Sequence, residues 1–183
     1  MALKKTNAVL ALLTYLVLTG HVIYQVASYI MFYYNAAISR TFAYTTMLLF
    51  IAHAVIAFII LFGKHDSKEI VYKALNLRTL LQRIFAYAMC VLLPAHMFAF
   101  KIISQNSGNL IIFTLAETVQ ILFYLALFAH IALSFSNALI TLGLMTDIKK
   151  KKITDVVMAV ICALFFIVSS VVVVVTHWNI HHG

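Results

Sequence analysis

The chain contains five stretches of mostly apolar residues, at about 7–34, 40–63, 79–103, 111–145 and 154–177, each meeting the ~20 residues that a helix needs to cross ~30 Å of hydrocarbon. No other feature limits its possible folds so severely. Lipid offers no hydrogen bonds, so peptide groups inside it must pair within their own segment or in a closed barrel. These stretches therefore predict helices, even across Val171–Val175, where a β-branched run taken alone favours a strand. The composition agrees, with 64% hydrophobic and 10% charged residues, a balance foreign to soluble domains of this length. The expected architecture is an all-α integral membrane bundle of five transmembrane helices.

No fixed-period repeat or low-complexity linker divides the sequence, so residues 1–183 are read as one domain. Lys4 and Lys5 before the first run suggest a signal peptide, but the apolar stretch is too long and lacks a small-x-small cleavage site. It is read as the first helix. The fourth run exceeds what a span requires, so its last turns are expected to tilt or protrude. The single proline, Pro94, lies within the third run, where loss of its N–H predicts a kink.

A net charge of +8 would suggest nucleic-acid binding in a soluble protein. Here the basic residues flank membrane spans and report orientation instead, and no nucleic-acid partner is expected. Lys4, Lys5, Lys64, Lys68, Lys73, Arg78, Arg83 and Lys149 to Lys152 fall on one side, Arg40 and Lys101 on the other. The positive-inside rule then makes the N-terminus and the second and fourth connections cytoplasmic, and leaves His181-His182-Gly183 outside. This describes a multi-pass protein of the inner (cytoplasmic) membrane. Cys90 and Cys162 sit in different runs with no partner at close spacing, and read as small packing residues.

Ionisable side chains are costly inside a bilayer, yet each of the first four runs carries one histidine: His21, His53, His96 and His130. At 1.5 Å per residue, His21 and His96 lie ~20 Å and ~26 Å from the cytoplasmic ends of their helices, in the outer half. His53 and His130 lie ~20 Å and ~28 Å from the outer ends, in the inner half. The four thus sort into an outer pair, His21 with His96, and an inner pair, His53 with His130. Two imidazoles on facing helices complete a six-coordinate haem iron suited to electron transfer, so two b-type haems at two depths are expected. Zinc would want its ligands at one depth with thiolate or carboxylate help, which these runs offer little of.

The neighbours Gly20, Ala52, Ala54, Ala95 and Ala129 keep the helix surface low, either for a porphyrin or for ordinary helix packing. Lys64, Lys73, Arg78 and Arg83 lie where inner-haem propionates would need cations, and equally where lipid headgroups would. Glu117 is the only acidic side chain well within a run, near the outer end of the fourth helix. A carboxylate there is the natural proton carrier for quinone chemistry, with Thr118 and Gln120 as possible hydrogen-bonding helpers; a structural role near the interface competes. His177-Trp178 reads as an interfacial aromatic anchor, and His181 and His182 as solvated residues.

These residues resemble the five-helix, two-haem cytochrome b membrane anchors of succinate dehydrogenases and fumarate reductases. The resemblance covers nearly the whole chain. It rests on Leu81-Gln82-Arg83 followed by His96-Met97, on Ala52-His53-Ala54-Val55, and on His130 followed by Gly143-Leu144 before a basic segment. It implies the same ligand pairs: His21 and His96 on an outer (distal) haem, His53 and His130 on an inner (proximal) one. It also implies flavoprotein and iron-sulfur subunits on the cytoplasmic face, and a membrane quinone, menaquinone above others, as electron partner. The chain itself would not touch the dicarboxylate. The important glutamate that some relatives carry near the end of the first helix has no counterpart here. Two rivals are a di-haem cytochrome b of another membrane dehydrogenase, and a haem-free transporter or assembly protein whose histidines bind substrate or protons.

Overall fold

A computed structural model describes residues 2–62, 73–106 and 108–182, with side chains given except at 73–76 and 180–182. Lys64 and Lys68 lie outside the described residues, as do Gly183 and the side chains of Lys73, His181 and His182. The described residues form five helices: α1 (Ala2–Met31), α2 (Ala36–Phe62), α3 (Lys73–Gln105), α4 (Leu110–Thr141) and α5 (Ile148–His182). Each contains a stretch long and apolar enough to cross a membrane, and no strand occurs among the described residues. Val171–Val175 lies inside α5, as the need for internally paired peptide groups predicts.

The helices overrun the apolar runs at most ends, and the reasons are local. Asp147 accepts a hydrogen bond from the Lys149 N–H at 2.7 Å and so caps α5, six residues ahead of the apolar run. Lys149 to Lys152 therefore occupy the first turns of a helix rather than a loop. The fourth helix stops at Thr141, short of the expected 145. Gly143 adopts φ 76°, and the Leu144 N–H donates to the Leu139 carbonyl at 2.9 Å, the closure of a helix on a left-handed residue. At the start of α2 the Asn35 side chain accepts from the N–H groups of Ala37 and Ile38, at 2.9 and 3.2 Å. Pro94 lies within α3 without ending it.

The outer surface is apolar, while several polar side chains lie buried. The buried positions include Ser28, Ser39, Glu117, Gln120, Ser136, Ser169 and His177, while large apolar side chains face outward, Val91 at 76% and Ile111 at 80% exposure. Such a surface is compatible with hydrocarbon and incompatible with water over this area. Packing groups the chain into two compact units, Met1–Asn76 with Ser134–Met158, and Leu77–Leu133 with Ala159–Gly183.

In the first unit, α1 and α2 meet through small and polar residues. Tyr24 donates its hydroxyl proton to the Asn35 carbonyl at 3.0 Å and accepts from the Asn35 N–H at 2.8 Å, tying helix to turn. Gln25 donates to Ser39 at 2.7 Å. Ser136, near the end of α4, donates to Asp155 on α5 at 2.5 Å, and Asp155 also pairs with Lys151 at 2.9 Å. A Cβ at Gly20 would stand 2.8 Å from Cε1 of Phe42, so the glycine admits a phenyl ring of α2.

Gly20→Ala is expected to force the Phe42 ring aside and to destabilise the chain by ~1–3 kcal/mol. Thermal unfolding in detergent checks this, and pairing the change with Phe42→Leu should recover most of the loss.

Candidate functional site

Each unit holds one histidine of each expected pair: His21 and His53 in the first, His96 and His130 in the second. His21 is half-buried on α1. His53, on α2, sets its ring Nδ1 3.3 Å from the backbone carbonyl of Asn7 on α1. A carbonyl can only accept, so Nδ1 carries the ring proton and Nε2 carries the lone pair. In the second unit His130, on α4, donates from Nδ1 to the Gln82 carbonyl on α3 at 2.9 Å. Gln82 belongs to the Leu81-Gln82-Arg83 motif, and its backbone, not its amide, serves the histidine.

His96 is held by a side chain instead. Its Nδ1 lies 2.7 Å from Oε1 of Gln120, and Gln120 Nε2 donates to the His96 carbonyl at 3.2 Å. The second bond fixes which end of the amide accepts, so His96 also carries its proton on Nδ1. Gln120 is only 3% exposed. Phe123 stacks on the His96 ring at 4.4 Å and 16°, and Tyr124 meets it edge-on at 5.7 Å. One hydrogen bond and two flanking rings leave this imidazole little rotational freedom.

These contacts place two levels within each unit. His53 reaches α1 at Asn7, and His21 lies fourteen residues further along that helix, about 21 Å at 1.5 Å per residue. His130 reaches α3 at Gln82, and His96 again lies fourteen residues further, about 21 Å. In each unit the two histidines thus stand about 21 Å apart along one helix.

The donor set fits a haem iron. An iron-binding imidazole presents a neutral Nε2 and holds its other nitrogen in a hydrogen bond, the condition met by His53, His96 and His130. Nε2 of His96 and of His130 makes no hydrogen bond to a described residue. Among the described residues no three His, Cys, Asp or Glu side chains converge, and axial haem ligation needs only two. Arg78 donates from Nε to the Leu133 carbonyl at 3.1 Å, three residues from His130, whereas Arg83 is exposed. Cys90 and Cys162 are free thiols.

Glu117 is not an interfacial carboxylate reaching for water. It is 6% exposed on α4 and takes a short hydrogen bond from Nδ1 of His177, 2% exposed on α5. Its second oxygen, Oε2, is buried and has no partner among the described residues. Thr118 turns to its own helix, bonding the Thr114 carbonyl at 2.8 Å, so of the two expected helpers only Gln120 is buried, and it serves His96. The reading of His177 as part of an aromatic anchor fails for His177 itself. Trp178 keeps that character, 47% exposed and edge-on to Phe113 at 5.9 Å. A signal for the missed residue was present: Glu117 lies about 10 Å from the start of α4 and His177 about 8 Å from the end of α5, so antiparallel neighbours would bring them level. A buried carboxylate demands such a partner.

Comparison of the chain with protein-family models, with curated proteins and with solved structures finds no match.

Proposed function

We propose that the chain is the haem b-bearing membrane anchor of a succinate:quinone oxidoreductase, passing electrons between an iron-sulfur subunit and a membrane quinone. The observation that carries this reading is the fixing of His53, His96 and His130 by Nδ1–H bonds to carbonyl oxygens, at two levels ~21 Å apart within each unit. Three packing histidines would have no reason to share one tautomer. In this reading His21 and His96 hold the outer haem and His53 and His130 the inner one. A b-type haem supplies one-electron transfer when bound; the protein's part is to hold the imidazoles neutral, fix their planes and keep water away.

The flavoprotein and iron-sulfur subunits dock on the cytoplasmic face, and the exposed Lys149, Lys150 and Lys152 at the start of α5 belong to that face. The N-terminus is cytoplasmic and the C-terminus outside. Menaquinone is the preferred electron partner in the bilayer.

A dithionite-reduced minus oxidised spectrum of the purified protein, with a pyridine haemochrome assay, should give two b-type haems per chain; their absence returns the histidines to packing or transport. His21→Ala and His96→Ala should remove the outer haem and spare the inner, and His53→Ala and His130→Ala should do the reverse, as read by redox titration of the four variants. Gln120→Leu should lower occupancy of the outer haem about 10- to 100-fold while leaving the inner haem's midpoint unchanged. Reporter fusions at the two termini should show an alkaline phosphatase active only at the C-terminus.

A further inference from the structure

Among the described residues one position other than glycine holds a positive φ: Phe32, at 51°, in the turn that joins α1 to α2. It is the residue on which α1 closes, because the Tyr33 N–H donates to the Ser28 carbonyl at 3.2 Å, wrapping the helix end around a left-handed residue. At the end of α4 the same task falls to Gly143. Glycine enters this conformation freely, whereas a Cβ there crowds the backbone and costs free energy. A bulky ring held in such a place calls for a compensating contact.

The described part of the chain does not supply it. Phe32 is 96% exposed, and Met31, Tyr33 and Tyr34 around it are exposed too. Yet the turn is held firmly: the Tyr24 hydroxyl bonds both the N–H and the carbonyl of Asn35, and the Asn35 side chain caps α2 at Ala37 and Ile38. Four consecutive large side chains are thus presented outward on a fixed frame. Water is a poor medium for them. No Asp, Glu, Lys or Arg occurs from Thr6 to Ser39, so most of α1, the turn and the first residues of α2 pass without a charge. The sequence after α2 is of the opposite kind, bringing Lys64, Asp66, Lys68 and Glu69 close together.

Two features define the medium that suits the turn. Tyr33 and Tyr34 each join an apolar ring to a hydroxyl, the combination that settles where acyl chains meet headgroups. Arg40, the first charge after the turn, is exposed and lies about 8 Å along α2 from Asn35, a span its own side chain covers when it reaches back toward the turn. A guanidinium at that level meets lipid phosphate. We propose that Met31, Phe32, Tyr33 and Tyr34 form an interfacial anchor that inserts into the headgroup layer of a phospholipid bilayer, with the Phe32 ring as its wedge and Arg40 on a lipid phosphate. The contact with lipid offsets the backbone cost at Phe32. The anchor sets the depth of α1 and α2, and through them that of His21 and His53, whether or not those histidines hold haem.

The full chain carrying Phe32→Trp and Trp178→Phe has its one tryptophan in the turn, since Trp178 is the single tryptophan of the sequence. It is reconstituted in phosphatidylcholine vesicles. Its fluorescence is quenched by iodide on both sides of the membrane, or by phosphatidylcholine brominated near the carbonyl end or near the methyl end of its acyl chains. Bromine near the carbonyl end should quench about threefold more than bromine near the methyl end, and iodide about threefold less than it quenches free tryptophan amide. Iodide quenching equal to that of the free amide puts the turn in water and overturns the proposal, as does stronger quenching from the methyl end. Protection from iodide and from both brominated lipids means that a protein surface, a second copy included, covers the turn, which overturns it equally. The ring's own part is read with Tyr33→Trp in the Trp178→Phe chain. Adding Phe32→Gly, which keeps the left-handed turn without strain, should raise iodide quenching there about threefold, and an unchanged value rejects the wedge. The Tyr33→Trp chain also repeats the depth measurement should Phe32→Trp fail to fold.

Discussion

Every polar group inside these helices must find its partner without help from water, and the remaining features follow from that requirement. It compels the helical backbone, since only a helix satisfies its peptide groups within one apolar segment. It also disciplines the side chains. Ser28 and Thr14 turn to carbonyls one turn back, and Gln25, Ser136 and Gln120 reach across to a neighbouring helix. His53, His96 and His130 obey the same rule, and in obeying it acquire a defined tautomer. What would be a stabilising detail in water here fixes which ring nitrogen keeps its lone pair.

The two ways of holding an imidazole are not equivalent. His53 and His130 rely on backbone carbonyls, which no substitution at Asn7 or Gln82 removes while the helix persists. His96 relies on the Gln120 side chain, buried and bonded at both ends. A backbone acceptor is fixed by the fold; a side-chain acceptor can be changed residue by residue, which makes the surroundings of His96 the more adjustable of the two levels.

Much of this was legible in the sequence, for identifiable reasons. Apolar runs of membrane length leave one backbone solution, so the helices could be read directly, including the β-branched stretch in α5. One histidine per run, at alternating depths, was equally plain because burial makes each costly. Helix ends were misplaced where a cap, not hydropathy, decides them: Asp147 starts α5 early, and Gly143 ends α4 early. Gly20 was ambiguous because a small residue serves a ring of any origin, and only coordinates show that the ring is Phe42. His177 was misread because a histidine beside a tryptophan at a helix end resembles an interfacial pair. Its partner lies sixty residues away and is found only by matching depths on α4 and α5.

The spacing along α1 and α3 has a consequence of its own. Fourteen residues make about 3.9 turns, so Asn7 and His21 emerge on nearly the same face of α1, and Gln82 and His96 on nearly the same face of α3. Each of these helices therefore acts as a ruler, giving a histidine at one graduation and a ring-steadying carbonyl at the other. Side chains between the marks can vary only where packing allows, as it does not at Gly20, and their number is fixed: one inserted residue would advance the upper mark by about 1.5 Å and swing it by about 100°.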